Sequence, residues 1–123
     1  MLVGAIAHKY MAKLPEATVK IIFDLQKQLL ERIDDATATE AIVFQQIGEY
    51  EARFELEQLQ NANERARSSY SRLYTLLLRV AESQPVASSA ILELLAQSIE
   101  QAAATNSATQ ASIEEIKRDW NLL

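Results

Sequence analysis

Between Pro15 and Pro85 the chain carries a single glycine, Gly48, and no proline, so a long stretch lacks the two residue types that interrupt helices. Apolar residues in it recur at spacings of three and four, the period of a helix with one buried face. Such a stretch folds into long amphipathic helices or not at all. With two glycines and two prolines among 123 residues, little of the chain is available for turns. A chain of that length, 49% apolar, buries a core without disulfides or metals, so one domain over 1–123 is expected.

Val3, Ile6, Tyr10 and Leu14, then Ile22, Leu25, Leu29 and Ile33, predict a first helix over 2–34. Pro15 lacks an N–H and crowds the carbonyl four residues back, so a kink or break is expected near residues 12–15, and Glu16 after it suits a fresh first turn. Residues 1–10 are a separate or dispensable extension if Met11 is the natural start. Asp34-Asp35-Ala36-Thr37 predicts a tight connection, because its short polar side chains compete for backbone groups and Thr37 with Glu40 matches a capping box. A second helix follows over 38–83, about 45 residues and ~67 Å long. Polarity peaks at Asn61-Ala62-Asn63-Glu64, and a break there would give a four-helix bundle. Pro85 suits the first turn of a third helix over 86–120, whose stripe Ile91, Leu95, Ser98, Ala102, Thr105, Thr109, Ile113, Ile116 and Trp120 is small in the middle. Ser107-x-x-Gln110 and Ser112-x-x-Glu115 mark a second place for a break. The expected fold is therefore all-α, an up-down-up antiparallel bundle of three long helices.

Lysines at 13, 20 and 27 and arginines at 65, 72 and 79 repeat every seven residues, the spacing of charges that flank coiled-coil seams. Folding back at 35–37 predicts Lys20 facing Glu49, Glu51 and Glu55, Lys13 near Glu57, and Leu25 and Leu29 against Ile47 and Val43. Folding back at 84–85 predicts Arg72 between Glu93 and Glu100, Lys117 and Arg118 against Glu51, and Leu95 against Tyr74. Gly48 falls near Trp120, either as a close helix approach that makes room for the indole or as a tolerated surface glycine.

The net charge is −5, divided into blocks of +2 over 1–33, −7 over 34–64, +4 over 65–81 and −4 over 82–123. Overall acidity excludes a protein that coats nucleic acid by bulk charge and leaves only a local basic patch. Cysteine is absent, which removes thiolate chemistry and cysteine-held zinc and permits a reducing cytoplasm, the expected location. The apolar run from Met1 to Ala7 is too short for a signal-peptide core, and no run approaches the ~20 residues that span a bilayer.

Candidate chemistry is sparse. His8 is the only histidine and has no Ser or Asp at relay spacing, and no Glu-x-x-His motif offers a di-iron site. Glu31-x-x-Asp34 suits a carboxylate-metal hydrolase only if further carboxylates converge inside the bundle, whereas Glu49, Glu51, Glu55 and Glu57 scatter around a helix. No enzyme and no cofactor are expected. Arg65, Arg67, Tyr70 and Arg72 combine phosphate-binding and stacking side chains, the basis of a nucleic-acid reading, though interhelical pairing with glutamates explains the arginines as well. Val19, Phe23 and Leu30 form a second apolar stripe, and Tyr74 and Leu78 add apolar width to the second helix. These five exceed what one buried face needs and predict a protein interface, for a second copy in a dimer or higher oligomer or for another helical protein. The expected function is that of a non-enzymatic interaction, scaffold or adaptor protein, with an accessory nucleic-acid-binding subunit as the alternative.

Overall fold

A computed structural model describes residues 14–122. Three helices run through it: α1, Glu16–Gln46; α2, Arg53–Glu82; and α3, Ser89–Asp119. Each packs on both others. Thr37 and Glu40 of α1 accept hydrogen bonds from Asn63 and Gln60 of α2 at 3.0 and 3.2 Å, which makes the two antiparallel. Gln28 and Asp35 accept from Asn106 and Lys117, so α1 and α3 run parallel. The architecture is the expected up-down-up three-helix bundle.

Pro15 stands before the first turn of α1, its carbonyl accepting from the amides of Thr18 and Val19, and Glu16 places negative charge at the positive end of the helix. Of the expected kink or break, the described residues show a fresh helix start at Glu16, and the part of the expected first helix before Leu14 lies outside them.

The first turn is not at Asp34–Thr37. α1 passes straight through these residues, because each costs at most about 0.7 kcal/mol of helix propensity while the buried stripe Leu29, Ala36, Thr39 and Val43 continues beneath them. The helix ends where the backbone must turn left-handed: Gly48 has φ +99° and its amide donates to the Phe44 carbonyl at 3.1 Å, an αL cap. The second helix accordingly starts at Arg53, not near 38. A Cβ built on Gly48 meets nothing within 4 Å, so close approach to Trp120 is not what this glycine serves. Gly48→Ala is expected to cost about 1–2 kcal/mol by backbone strain alone, read as a lower urea midpoint with unchanged slope. A neutral result would mean the turn relaxes into another conformation.

Moving the turn moves the register, and the predicted charge pairs go with it. Lys20 bonds Asp24 on its own helix at 3.2 Å instead of Glu49, Glu51 or Glu55, and Lys117 pairs with Asp35 instead of Glu51. Leu25 and Leu29 share a cluster with Leu73, Leu77 and Val80, away from Ile47 and Val43. Between α2 and α3 the slip is smaller: Arg72 donates to Gln101 at 2.9 Å, one residue beyond Glu100. Tyr74, the expected partner of Leu95, is instead half exposed.

α2 runs unbroken through Asn61–Glu64. Ala62 is buried inside α2, and Asn63 spends its amide on Thr37 across the groove. α3 starts three residues later than expected because Ser88, not Pro85, caps it, its Oγ accepting from the Ile91 amide at 3.2 Å. It continues past Ser107 and Ser112 without interruption.

The core has two clusters. One, toward the α2–α3 connection, holds Ile22, Leu25, Leu29, Leu73, Leu77, Val80 and Leu95; the other holds Val43, Leu56, Leu59, Ile113 and Ile116. Small residues occupy the middle, with Ala36, Ala62 and Ala66 buried where α1 and α2 pass. Thr109 there satisfies its hydroxyl by donating to the Thr105 carbonyl at 2.7 Å, whereas the Thr39 hydroxyl is buried without a partner among the described residues. Thr39→Val, nearly isosteric, is expected to stabilise by about 1 kcal/mol, seen as a higher thermal midpoint. Destabilisation would mean that the hydroxyl is satisfied after all.

Candidate protein interface

The α1/α2 groove is located by its own hydrogen bonds. Thr37 and Asn63 meet across it, so residues that share their azimuth lie along the same outer face. At 100° per residue, seven-residue steps back from Thr37 reach Leu30 and then Phe23, and five full turns back reach Val19. On α2, Tyr74 lies about three turns beyond Asn63, and Leu78 lies five full turns beyond Gln60. The bundle thus brings all five predicted interface residues to one face. Phe23 is 52% exposed, Leu30 49%, Tyr74 53% and Leu78 46%. Val19 alone is partly covered, packed against the core.

They also sit at one end. Carried along at 1.5 Å per residue, the Thr37–Asn63 register sets Phe23 level with Leu77 and Leu30 level with Tyr70. The register expected from a turn at 35–37 would have placed Phe23 beside Glu49, far from Tyr74. Toward the other end the same groove is lined by Phe44, Ala41 and Leu56 around the polar Thr37, Glu40 and Gln60. Phe44, more than half exposed, was missed, although it continues the seven-residue series Phe23, Leu30, Thr37. Tyr50 and Phe54 are exposed at the α1–α2 turn.

The basic segment lines adjoining hollows along the outer side of α2. Arg65 and Arg72 line the groove toward α3 with Glu64, Ser68, Ser69, Ser98, Gln101 and Thr105, and Arg79 lies farther along the same side with Leu94. Arg67 borders a neighbouring hollow that it shares with Arg72, Glu64, Ser68 and Ser71, whereas Tyr70 is half-buried against the core, so the three arginines lie along one stretch of surface without the tyrosine. The ion pairs among the described residues are Lys20–Asp24, Arg32–Glu31 and Lys117–Asp35. None involves Arg65, Arg67, Arg72 or Arg79, so the glutamate pairing expected for the arginines is not made.

Glu31 and Asp34 are both exposed, and among the described residues no three His, Cys, Asp or Glu side chains gather as a metal site requires. His8 lies outside the described residues. No described helix is long and apolar enough to cross a membrane. No protein-family model, no curated protein and no solved structure matches the chain.

Proposed function

We propose that this chain is a non-enzymatic helical interaction protein whose working surface is the outer α1/α2 face. The observation that carries this reading is the clustering of Phe23, Leu30, Tyr74 and Leu78, each about half exposed, at one end of that face. Large apolar side chains bury on the order of 200 Å² each, so half of four such residues leaves about 400 Å² of apolar surface. A soluble monomer's largest patch is ~300–600 Å² and is commonly a contact site. The partner is helical, either a second copy or another protein, because a groove between two antiparallel helices accepts a third by ridges-into-grooves packing. The cysteine-free sequence suits work in the reducing cytoplasm.

Capture from the native host with wild-type and Leu30→Asp chains as paired baits tests this. A near-stoichiometric polypeptide, the chain itself included, that is held by wild type and lost by the variant supports the reading. Equal recovery by both baits sinks it.

A second reading uses the α2/α3 groove, favoured by the arginines at 65, 72 and 79, which stand on one side of α2 and make no ion pair among the described residues, though Glu64 lines the same groove. Arginine forks suit phosphates, and binding to nucleic acid would weaken steeply with salt. Titration with single-stranded and duplex probes at low salt, comparing wild type with Arg65→Ala and Arg72→Ala, decides it. No binding, or binding that both variants retain, ends that reading.

A further inference from the structure

We infer that the occupant of the α1/α2 face is a second copy of this chain, in a dimer whose two-fold axis runs parallel to the bundle axis. The inference rests on the interaction reading above and names the partner.

The placing of the apolar residues is the first ground. A two-fold axis along the bundle keeps every residue at its own level and sets α1 of one copy across from α2 of the other, antiparallel. Because Phe23, Leu30, Tyr74 and Leu78 share one end of one face, the patch on one copy then covers the patch on the other: Phe23 lies against Leu78 of the second copy, and Leu30 against Tyr74 of the second copy. The apolar ~400 Å² is about half of the ~800 Å² that each side of a stable interface buries, and about half of such an interface is apolar.

Charge supplies the second ground. Lys20, Lys27 and Asp34, seven residues apart, form the outer edge of α1 beside this face, and all three are exposed. On α2, Arg67 shares the azimuth of the face, and Glu64, Ser71 and Glu82 point outward beyond it, Glu64 and Ser71 also bordering the hollows toward α3. The register puts Lys20 level with Val80 and Asp34 level with Ala66. In the dimer Lys20 therefore faces Glu82 of the second copy and Asp34 faces Arg67 of the second copy, each pair occurring twice by symmetry. Lys27 meets uncharged Ser71 of the second copy, and Glu64 of the second copy is the one like-charged neighbour of Asp34. A two-fold axis across the helices gives the opposite result: α1 packs on α1, and centring the patch brings Lys27 against Lys27 of the other copy. Steering by such charges fixes the register of an interface more than its strength.

Sedimentation equilibrium of the purified full-length chain through the micromolar range tests this. Wild type is expected to be a dimer. Leu30→Asp, at an exposed position, should keep the far-ultraviolet circular dichroism of wild type while weakening association about a hundredfold, as loss of a central apolar anchor does. Lys20→Glu and Glu82→Lys should each weaken association alone, since each sets like charges opposite one another twice. Mixed in equal amounts they should associate again, because the mixed dimer restores opposite charges at both pairs. A wild-type monomer at every concentration overturns the second copy as occupant, and the host capture above then decides the interaction reading separately. A wild-type dimer that survives Leu30→Asp, or charge variants that mixing does not rescue, overturns the inferred geometry.

Discussion

Leu29→Ala is expected to lower the thermal midpoint by about 8–25 °C, while Leu30→Ala, one residue along, leaves it nearly unchanged in dilute protein. Leu29 is fully buried in the cluster with Leu25, Leu73 and Leu77. Truncating it removes its transfer free energy and leaves a cavity that two neighbouring helices close only partly, about 2–5 kcal/mol. For a chain of this size each kcal/mol shifts the midpoint by roughly 4–5 °C. Leu30 is half exposed on the α1/α2 face, and substitutions at such sites change stability within about 0.5 kcal/mol. The contrast doubles as a check on association. If the face is covered by a partner copy, the Leu30→Ala midpoint falls below wild type only as concentration rises, because dimer formation stabilises by mass action. Equal losses at both positions in dilute protein would mean that α1 is rotated from the orientation described.

The rotation of each helix was legible from the sequence, while the position of the first turn was not. The stripes Ile22, Leu25, Leu29 on α1 and Ile91, Leu95, Ile113, Ile116 on α3 are read directly from spacing, and these residues are buried or half-buried in the bundle. Apolar burial is worth ~1.5–3 kcal/mol per large side chain, so the pattern that achieves it dominates the fold. The turn rested on smaller terms. Asp34, Asp35 and Thr37 disfavour a helix by tenths of a kcal/mol each, which the burial of Ala36 and Thr39 overrides. Gly48 was visible but ambiguous, because its sequence neighbours do not reveal that its φ must be positive. A turn at 35–37 in place of 47–52 shifts every cross-helix pairing of α1. Exposed ion pairs are worth ~0–1 kcal/mol, and several registers of a chain rich in Lys and Glu satisfy some of them, so apparent charge matching did not discriminate. The five candidate interface residues stand out in the sequence one by one as surplus apolar width. That they form a single patch depends on the register and became visible only with it.

Ala36→Leu decides the corrected turn by its energetics, and is expected to destabilise by about 1–3 kcal/mol, while Ala38→Leu is close to neutral. Leucine follows alanine closely in helix propensity, so neither change perturbs α1 as a helix and any difference reports packing. Ala36 is fully buried and stands level with the stretch between Ala62 and Ala66 of α2, both also buried. Three alanines at one level let the backbones of α1 and α2 approach, and three extra carbons on one of them have no void to enter. The strain is relieved by separating the helices, at the cost of the Thr37–Asn63 and Glu40–Gln60 hydrogen bonds beside it. Ala38 faces solvent two residues away. Had the chain turned at Asp34–Thr37, residue 36 would sit at an exposed tip, and a leucine there would cost little. Urea titration of both variants at a concentration below association separates the two cases: a midpoint lowered for Ala36→Leu alone places the close contact at the middle of a continuous α1, and two unchanged midpoints would return the turn to residues 34–37.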